Sequence, residues 1–217
     1  MKPTLYYAPD TCALASHIAL EEAQADVDYV RLDLHRGDTR NPAYLKLNPK
    51  GRVPVMITDR GVLSESPAIL AWIAQTWPHA NLAPVNDPWA FAQVNSFNTF
   101  LSGTLHGINY AAFFKPARFA DSETTQAAVK EKAFQNIADT LAMIEDKLAV
   151  GGWVHGDAYT TSDAYLAVLF GWRRALGRPL PAFPKIAALE QRVLARPPVQ
   201  RALATQTAPD APMFNAA

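Results

Sequence analysis

Three short stretches of this 217-residue chain carry residue types that can do chemistry. The first is Cys12, the only cysteine, placed where an apolar helix should begin. Free N–H groups and the dipole at a helix N-terminus favour a thiolate and lower the thiol pKa. With no second cysteine three residues on, a dithiol redox cycle is excluded, and exchange with a small thiol through a mixed disulfide remains. The competing account is a small buried hydrophobe. The second stretch is Val53-Pro54, which stands where a strand should start, although proline cannot donate to a ladder. A cis bond there would turn the N–H and C=O of Val53 outward to hold an extended peptide. The third is Ser64-Glu65-Ser66-Pro67, a helix start with serine at the N-cap and proline in the first turn. Its free N–H groups suit a carboxylate, and Glu65 beside them suits an ammonium. Together these stretches describe a site for a small peptide with a free amino-acid end. Taken singly, each also fits ordinary turn and cap chemistry.

The elements that must position these residues follow from pattern. Residues 4–7 read as a strand, 12–20 as a helix, 28–34 as a second strand and 42–47 as a short helix. A proline turn and an apolar hairpin from Val55 come next, then an amphipathic helix over 67–77 carrying Ile69, Leu70 and Ile73. The order βαβ, short helix, ββα predicts a compact α/β domain over 1–78 with helices on both faces of its sheet. Pro78, Pro84 and Pro88 break the pattern, so 79–88 reads as a linker. Everything from 89 to 217 is helical in pattern, with long segments over 89–114, 122–149 and 162–176 and shorter ones from Phe183 and Pro198. Thr160 with Asp163 has the form of a capping box and is assigned to folding. The tail over 207–217 is expected either to be mobile or to fold over the cleft.

Composition narrows the function. Twenty basic and twenty acidic residues cancel, so no field draws the chain to nucleic acid or an anionic membrane surface. No apolar run reaches the about 20 residues of a membrane span. The first residues lack a signal-peptide core, and one cysteine suits a reducing compartment, so a cytoplasmic location is expected. The five histidines lack ligand spacing, and no metal is expected.

The same residues resemble those of cytosolic glutathione transferases, with the bacterial beta class as the nearest likeness, over nearly the whole chain. Cys12-Ala13-Leu14-Ala15-Ser16-His17-Ile18 resembles that class's cysteine-bearing first helix. Asn48-Pro49-Lys50-Gly51-Arg52-Val53-Pro54 resembles its loop before a cis-proline, and Ser64-Glu65-Ser66-Pro67-Ala68-Ile69 its glutamyl-binding turn. Leu82-Ala83-Pro84-Val85 is similar to the interdomain linker and Thr160-Thr161-Ser162-Asp163-Ala164-Tyr165-Leu166 to the capped core helix.

The resemblance implies a thioredoxin-like N-terminal domain, an all-α C-terminal bundle, assembly as a homodimer and a role in detoxification. It implies that glutathione is the co-substrate. Val53 and Pro54 would hold the cysteinyl part, Glu65 and Ser66 the γ-glutamyl end, and Arg36 the glycine end. Thr99 would stand where an asparagine commonly reaches the partner subunit's glutathione. Cys12 and His106 would face the sulfur and stabilise its thiolate, and Cys12 could form a mixed disulfide with it. By α-helical spacing Thr99, Ser102, His106 and Tyr110 share one face. Tyr110, Phe113 and Phe114 would offer apolar surface to a small hydrophobic electrophile. The chain departs from the class at Ala13, Gly107 and Thr99, changes expected to weaken glutathione binding. Two other readings stand beside this one. They are a glutathione-dependent thiol-disulfide oxidoreductase or peroxidase using Cys12 covalently, and a non-catalytic binding module on the same fold.

Overall fold

A computed structural model describes residues 1–214 of the chain. It divides into two compact units, Met1–Phe91 with Val193–Ala217, and Ala92–Arg192.

The first unit is built on a four-stranded mixed sheet of order β2-β1-β3-β4. Its strands are β1 (Thr4–Tyr7), β2 (Asp28–Arg31), β3 (Val55–Thr58) and β4 (Gly61–Ser64). β1 runs parallel to β2 and antiparallel to β3, and β3 and β4 form a hairpin. Three helices join them: α1 (Ala13–Glu22), α2 (Pro42–Leu47) and α3 (Ser66–Thr76). Alternation along β1 puts successive side chains on opposite faces. Tyr7 meets His17 of α1 with centroids 5.3 Å apart, while Tyr6 meets Tyr44 of α2 at 6.1 Å. Helices therefore cover both faces. On α3 the buried Ile69, Leu70, Ile73 and Ala74 form a single apolar stripe of helical period. β2 stops at Arg31, short of the expected Leu34. Beyond it the Asp33 carboxylate accepts from the backbone N–H groups of His35 and Arg36, closing a turn in place of a ladder.

The end of the chain belongs to this unit and not to the helical bundle expected for 89–217. α9 (Pro197–Thr207) packs on α1. Arg201 pairs with Glu21 at 2.8 Å, Arg196 with Glu22, and Gln206 Nε2 lies 3.3 Å from His17 Nδ1. The part of the tail up to Phe214 is neither free nor draped over a cleft. It adds to the edge of β2, with the Arg31 N–H donating to the Pro212 carbonyl at 2.8 Å and the Phe214 N–H to the Arg31 carbonyl at 2.9 Å. Residues 215–217 of that expected tail lie outside the described residues.

The second unit is helical. Its elements are α4 (Pro88–Phe100), a π-helical stretch (Leu101–Tyr110), α5 (Ala111–Phe114), α6 (Glu123–Lys147), α7 (Thr161–Gly171) and α8 (Pro184–Leu194). α7 is buried from Thr161 to Phe170; a helix apolar on all sides belongs at the centre of a bundle. No described helix is long and apolar enough to cross a membrane.

Candidate functional site

The three stretches singled out by residue type converge within the first unit. Cys12 is the N-cap residue of α1, Ser66 opens α3, and Val53 precedes the cis Val53–Pro54 bond at the start of β3. The Cys12 thiol points at the Val53 carbonyl, Sγ to O 3.6 Å, and Ser66, Glu65 and Arg52 lie near enough to act on its protonation.

The protonation state of Cys12 corrects an expectation. The thiol is 6% exposed, and burial pushes it up to about 11. The neighbouring Ser66, the backbone and the Arg52 charge pull it down, while Glu65 pushes it further up. Desolvation of a thiolate outweighs the helix end here. At neutral pH Cys12 is a thiol, and therefore a hydrogen-bond donor.

Glu65 occupies the N-cap position of α3 with φ +75°, a conformation that costs a side-chain-bearing residue about 1–3 kcal/mol. No side chain caps this helix. The Glu65 carboxylate instead reaches an ammonium, that of Lys50, at 2.6 Å, and the same Nζ donates to Ser64 Oγ at 2.7 Å. Residue type alone suggested the charge complement but not this partner. Lys50 is fifteen residues away in a turn, and only folding brings it to Glu65.

The turn that presents Val53 is held from behind. Tyr44 Oη and Asn48 Nδ2 both donate to the Arg52 carbonyl, at 2.7 and 2.8 Å. Gly51 closes the turn at φ +60°, and a Cβ there would stand 2.8 Å from the Thr39 carbonyl, so only glycine fits. Neither Tyr44 nor Asn48 was expected to serve the site; a hydroxyl or amide aimed at a backbone carbonyl leaves no trace in spacing.

Arg36 lies in the exposed loop after β2, its Nε 3.7 Å from the Asp38 carboxylate. Asp38 is itself buried and accepts from the Asp33 N–H.

In the second unit, His106 falls within the π-helical stretch, its ring edge-on to Trp172 at 4.8 Å. The expected face of Thr99, Ser102, His106 and Tyr110 assumed α-helical spacing, which does not hold. The Ala111 N–H reaches back five residues to the His106 carbonyl, so the period widens. Leu101, Leu105 and Asn109, four apart, are buried, Tyr110 is fully buried, and Thr99 is exposed. Gly107 has a physical reason: a Cβ there would stand 2.8 Å from the Ser102 carbonyl, five residues back. Tyr110 stacks on Phe114 at 5.9 Å and meets Trp172 at 5.4 Å. Burial raises its phenol pKa, and its hydroxyl has no hydrogen-bond partner among the described residues. Phe113 is buried, whereas Phe114 is 41% exposed. Of these three aromatics, Phe114 is the one with substantial surface to offer a ligand. Among the described residues no cluster of histidine, cysteine and carboxylate groups could hold a metal.

Comparison with known proteins shows the family. Residues 1–75 match the glutathione S-transferase N-terminal domain, and residues 105–197 match the glutathione S-transferase C-terminal domain. The chain is 34% identical over 205 residues to glutathione S-transferase GstA of Escherichia coli O157:H7, covering 93% of this chain and 98% of that one. A glutathione transferase homologue from Sulfitobacter, solved with bound glutathione, superposes with a TM-score of 0.85 at 32% identity, covering 92% and 96% of the two chains. The bacterial beta class glutathione S-transferase of Sphingomonas chungbukensis gives 0.81 at 32% identity, covering 94% and 98%.

Proposed function

Because the chain belongs to the glutathione S-transferase family of enzymes, we propose that it binds glutathione at the junction of α1, β3 and α3 and activates its thiol for attack on small hydrophobic electrophiles. One observation carries this reading. A buried thiol, the backbone of Val53 and an uncapped helix start meet at one spot, with Cys12 Sγ 3.6 Å from the Val53 carbonyl.

Each group then has a task set by its chemistry. The backbone of Val53 pairs with the extended cysteinyl portion of glutathione. The N–H groups opening α3 and the Ser66 hydroxyl take the γ-glutamyl carboxylate. Glu65 takes the ammonium, exchanging its present partner Lys50 for the ligand. Arg36 serves the glycine end. Cys12, kept protonated by burial, donates to the glutathione sulfur in place of the Val53 carbonyl. Together with the helix-end N–H groups it stabilises the thiolate that attacks. The sulfur loses its proton to solvent and bonds to the electrophilic carbon, which expels its leaving group with the bonding pair or, at a polarised double bond, passes the π pair to the far atom, where a proton from solvent follows. A protonated, buried Cys12 weighs against a covalent role, because exchange requires the attacking thiolate. In the second unit the reading assigns His106 to the sulfur and Phe114 to the apolar electrophile. Assembly as a homodimer, a cytoplasmic location and a detoxifying role belong to the same reading.

A calorimetric titration with reduced glutathione tests it. Saturable binding of one glutathione per chain is expected, weakened at least about tenfold in Glu65→Ala, since a charge-assisted hydrogen bond is lost. No heat of binding at millimolar glutathione would overturn the proposal.

A further inference from the structure

The last described residues of the chain pack against the turn that carries Val53, more than 150 positions away in sequence. β2 is an edge strand, and an edge left open presents unpaired N–H and C=O groups. Here Arg31 is bracketed by the tail: its N–H donates to the Pro212 carbonyl, its carbonyl accepts from Phe214, and its Nη1 reaches the Ala208 carbonyl at 3.3 Å. That pairing delivers the Phe214 ring into a buried cluster with Leu32, Tyr44 and Val55. The ring sits edge-on to Tyr44 at 5.8 Å and to Tyr6 at 6.3 Å. Val53 itself packs against this cluster. Tyr44 in turn donates its hydroxyl to the Arg52 carbonyl, one residue before Val53. Two routes, one through apolar packing and one through a hydrogen bond, therefore join Phe214 to the backbone that faces Cys12.

We propose that Phe214 is a positioning residue for the glutathione site: docked on the β2 edge, it wedges Tyr44 against the Arg52–Val53 turn and sets the backbone that glutathione pairs with. This rests on the reading of Val53 as part of that site. The tail acts as a strap whose displacement loosens the turn without touching the ligand. Misplacing a binding backbone by a fraction of an ångström is enough to weaken a ligand severalfold.

The test compares Phe214→Ala, Phe214→Leu and Tyr44→Phe with Val199→Ala. Val199 is a fully buried residue of α9 in the same unit, and its variant reports general loss of stability. Two readouts are taken well below each melting temperature, the dissociation constant for reduced glutathione and the rate of Cys12 alkylation by iodoacetamide. Phe214→Ala and Tyr44→Phe should each weaken glutathione about fivefold and speed alkylation, and their effects should combine to less than the product because they share one route. Phe214→Leu should recover binding to within about twofold. Val199→Ala should lower the melting temperature and move neither readout. A Phe214→Ala protein that melts earlier but keeps wild-type glutathione affinity and alkylation rate overturns the inference. If Phe214→Ala does not fold, unchanged affinity and alkylation in Tyr44→Phe does the same. The alkylation readout needs no glutathione, so it still decides the coupling if the wild-type protein fails to bind glutathione and the functional reading falls.

Discussion

Two helix starts in this molecule look alike in sequence and are built to opposite ends. At the start of α7, Thr160 is extended and the capping box closes in both directions. The Thr160 hydroxyl accepts from the Ser162 N–H, while the Asp163 carboxylate accepts from the backbone N–H groups of Thr160 at 2.8 Å and Val154 at 2.7 Å. Every polar atom of this buried carboxylate is used internally. At the start of α3 the N-cap position is held by Glu65 in a left-handed conformation, no side chain caps the helix, and the carboxylate is turned to an exposed lysine. One start spends its polar groups on folding; the other has no side-chain cap and turns its carboxylate to the Lys50 ammonium.

That contrast can be broken from either side. The largest effect should come from the closed start. Asp163→Ala leaves the Val154 and Thr160 N–H groups buried without an acceptor, and should cost about 3 kcal/mol in urea unfolding. A loss under about 1 kcal/mol would mean the box is ornamental.

The next effect concerns the thiol at the open end. Its folded pKa, about 11, lies above the ordinary thiol value of 9.0, so the folded state holds the proton more tightly. The corresponding stability is fully present below pH 9 and is lost as pH rises through 11. Over those two units it amounts to about 2–3 kcal/mol. Unfolding followed from pH 8 to 11 should show that loss in the wild type and a shallower one in Cys12→Ala. The tyrosines that titrate in the same range are common to both proteins. Parallel curves would mean that the thiol is ionised more easily than its burial implies.

The smallest effect isolates the lysine at the same end. Lys50→Met removes the competitor for Glu65 and should tighten glutathione about threefold at low salt, fading as ionic strength rises. Weaker binding in this variant would show that Lys50 holds the ligand directly.

Whether a feature of this molecule is legible in the sequence depends on the distance over which it is encoded. The strand-and-helix order from β1 to α3 was legible because period-2 and period-3.6 patterns are written in neighbouring residues. The helical character after residue 88 was legible for the same reason. Cys12, Val53, Glu65 and Ser66 were legible as chemistry because each sits at an element boundary marked by proline, serine or a turn. The π-helical stretch was not. Its sequence offers good α-helical spacing, and only the packing of Leu101, Leu105 and Asn109, with Gly107 close under the Ser102 carbonyl, widens the turn.

By itself, then, the sequence determined the order of strands and helices from β1 to α3, the helical character beyond residue 88 and the capping box of α7, all of which rest on interactions within a few residues. Tertiary structure alone decided three further things. It set the protonation of Cys12, because desolvation depends on everything packed around the thiol. It set the partner of Glu65, because Lys50 arrives from another turn. And it set the place of the chain's end, because an open strand edge and an apolar hole beside Tyr44 exist only once the sheet has formed.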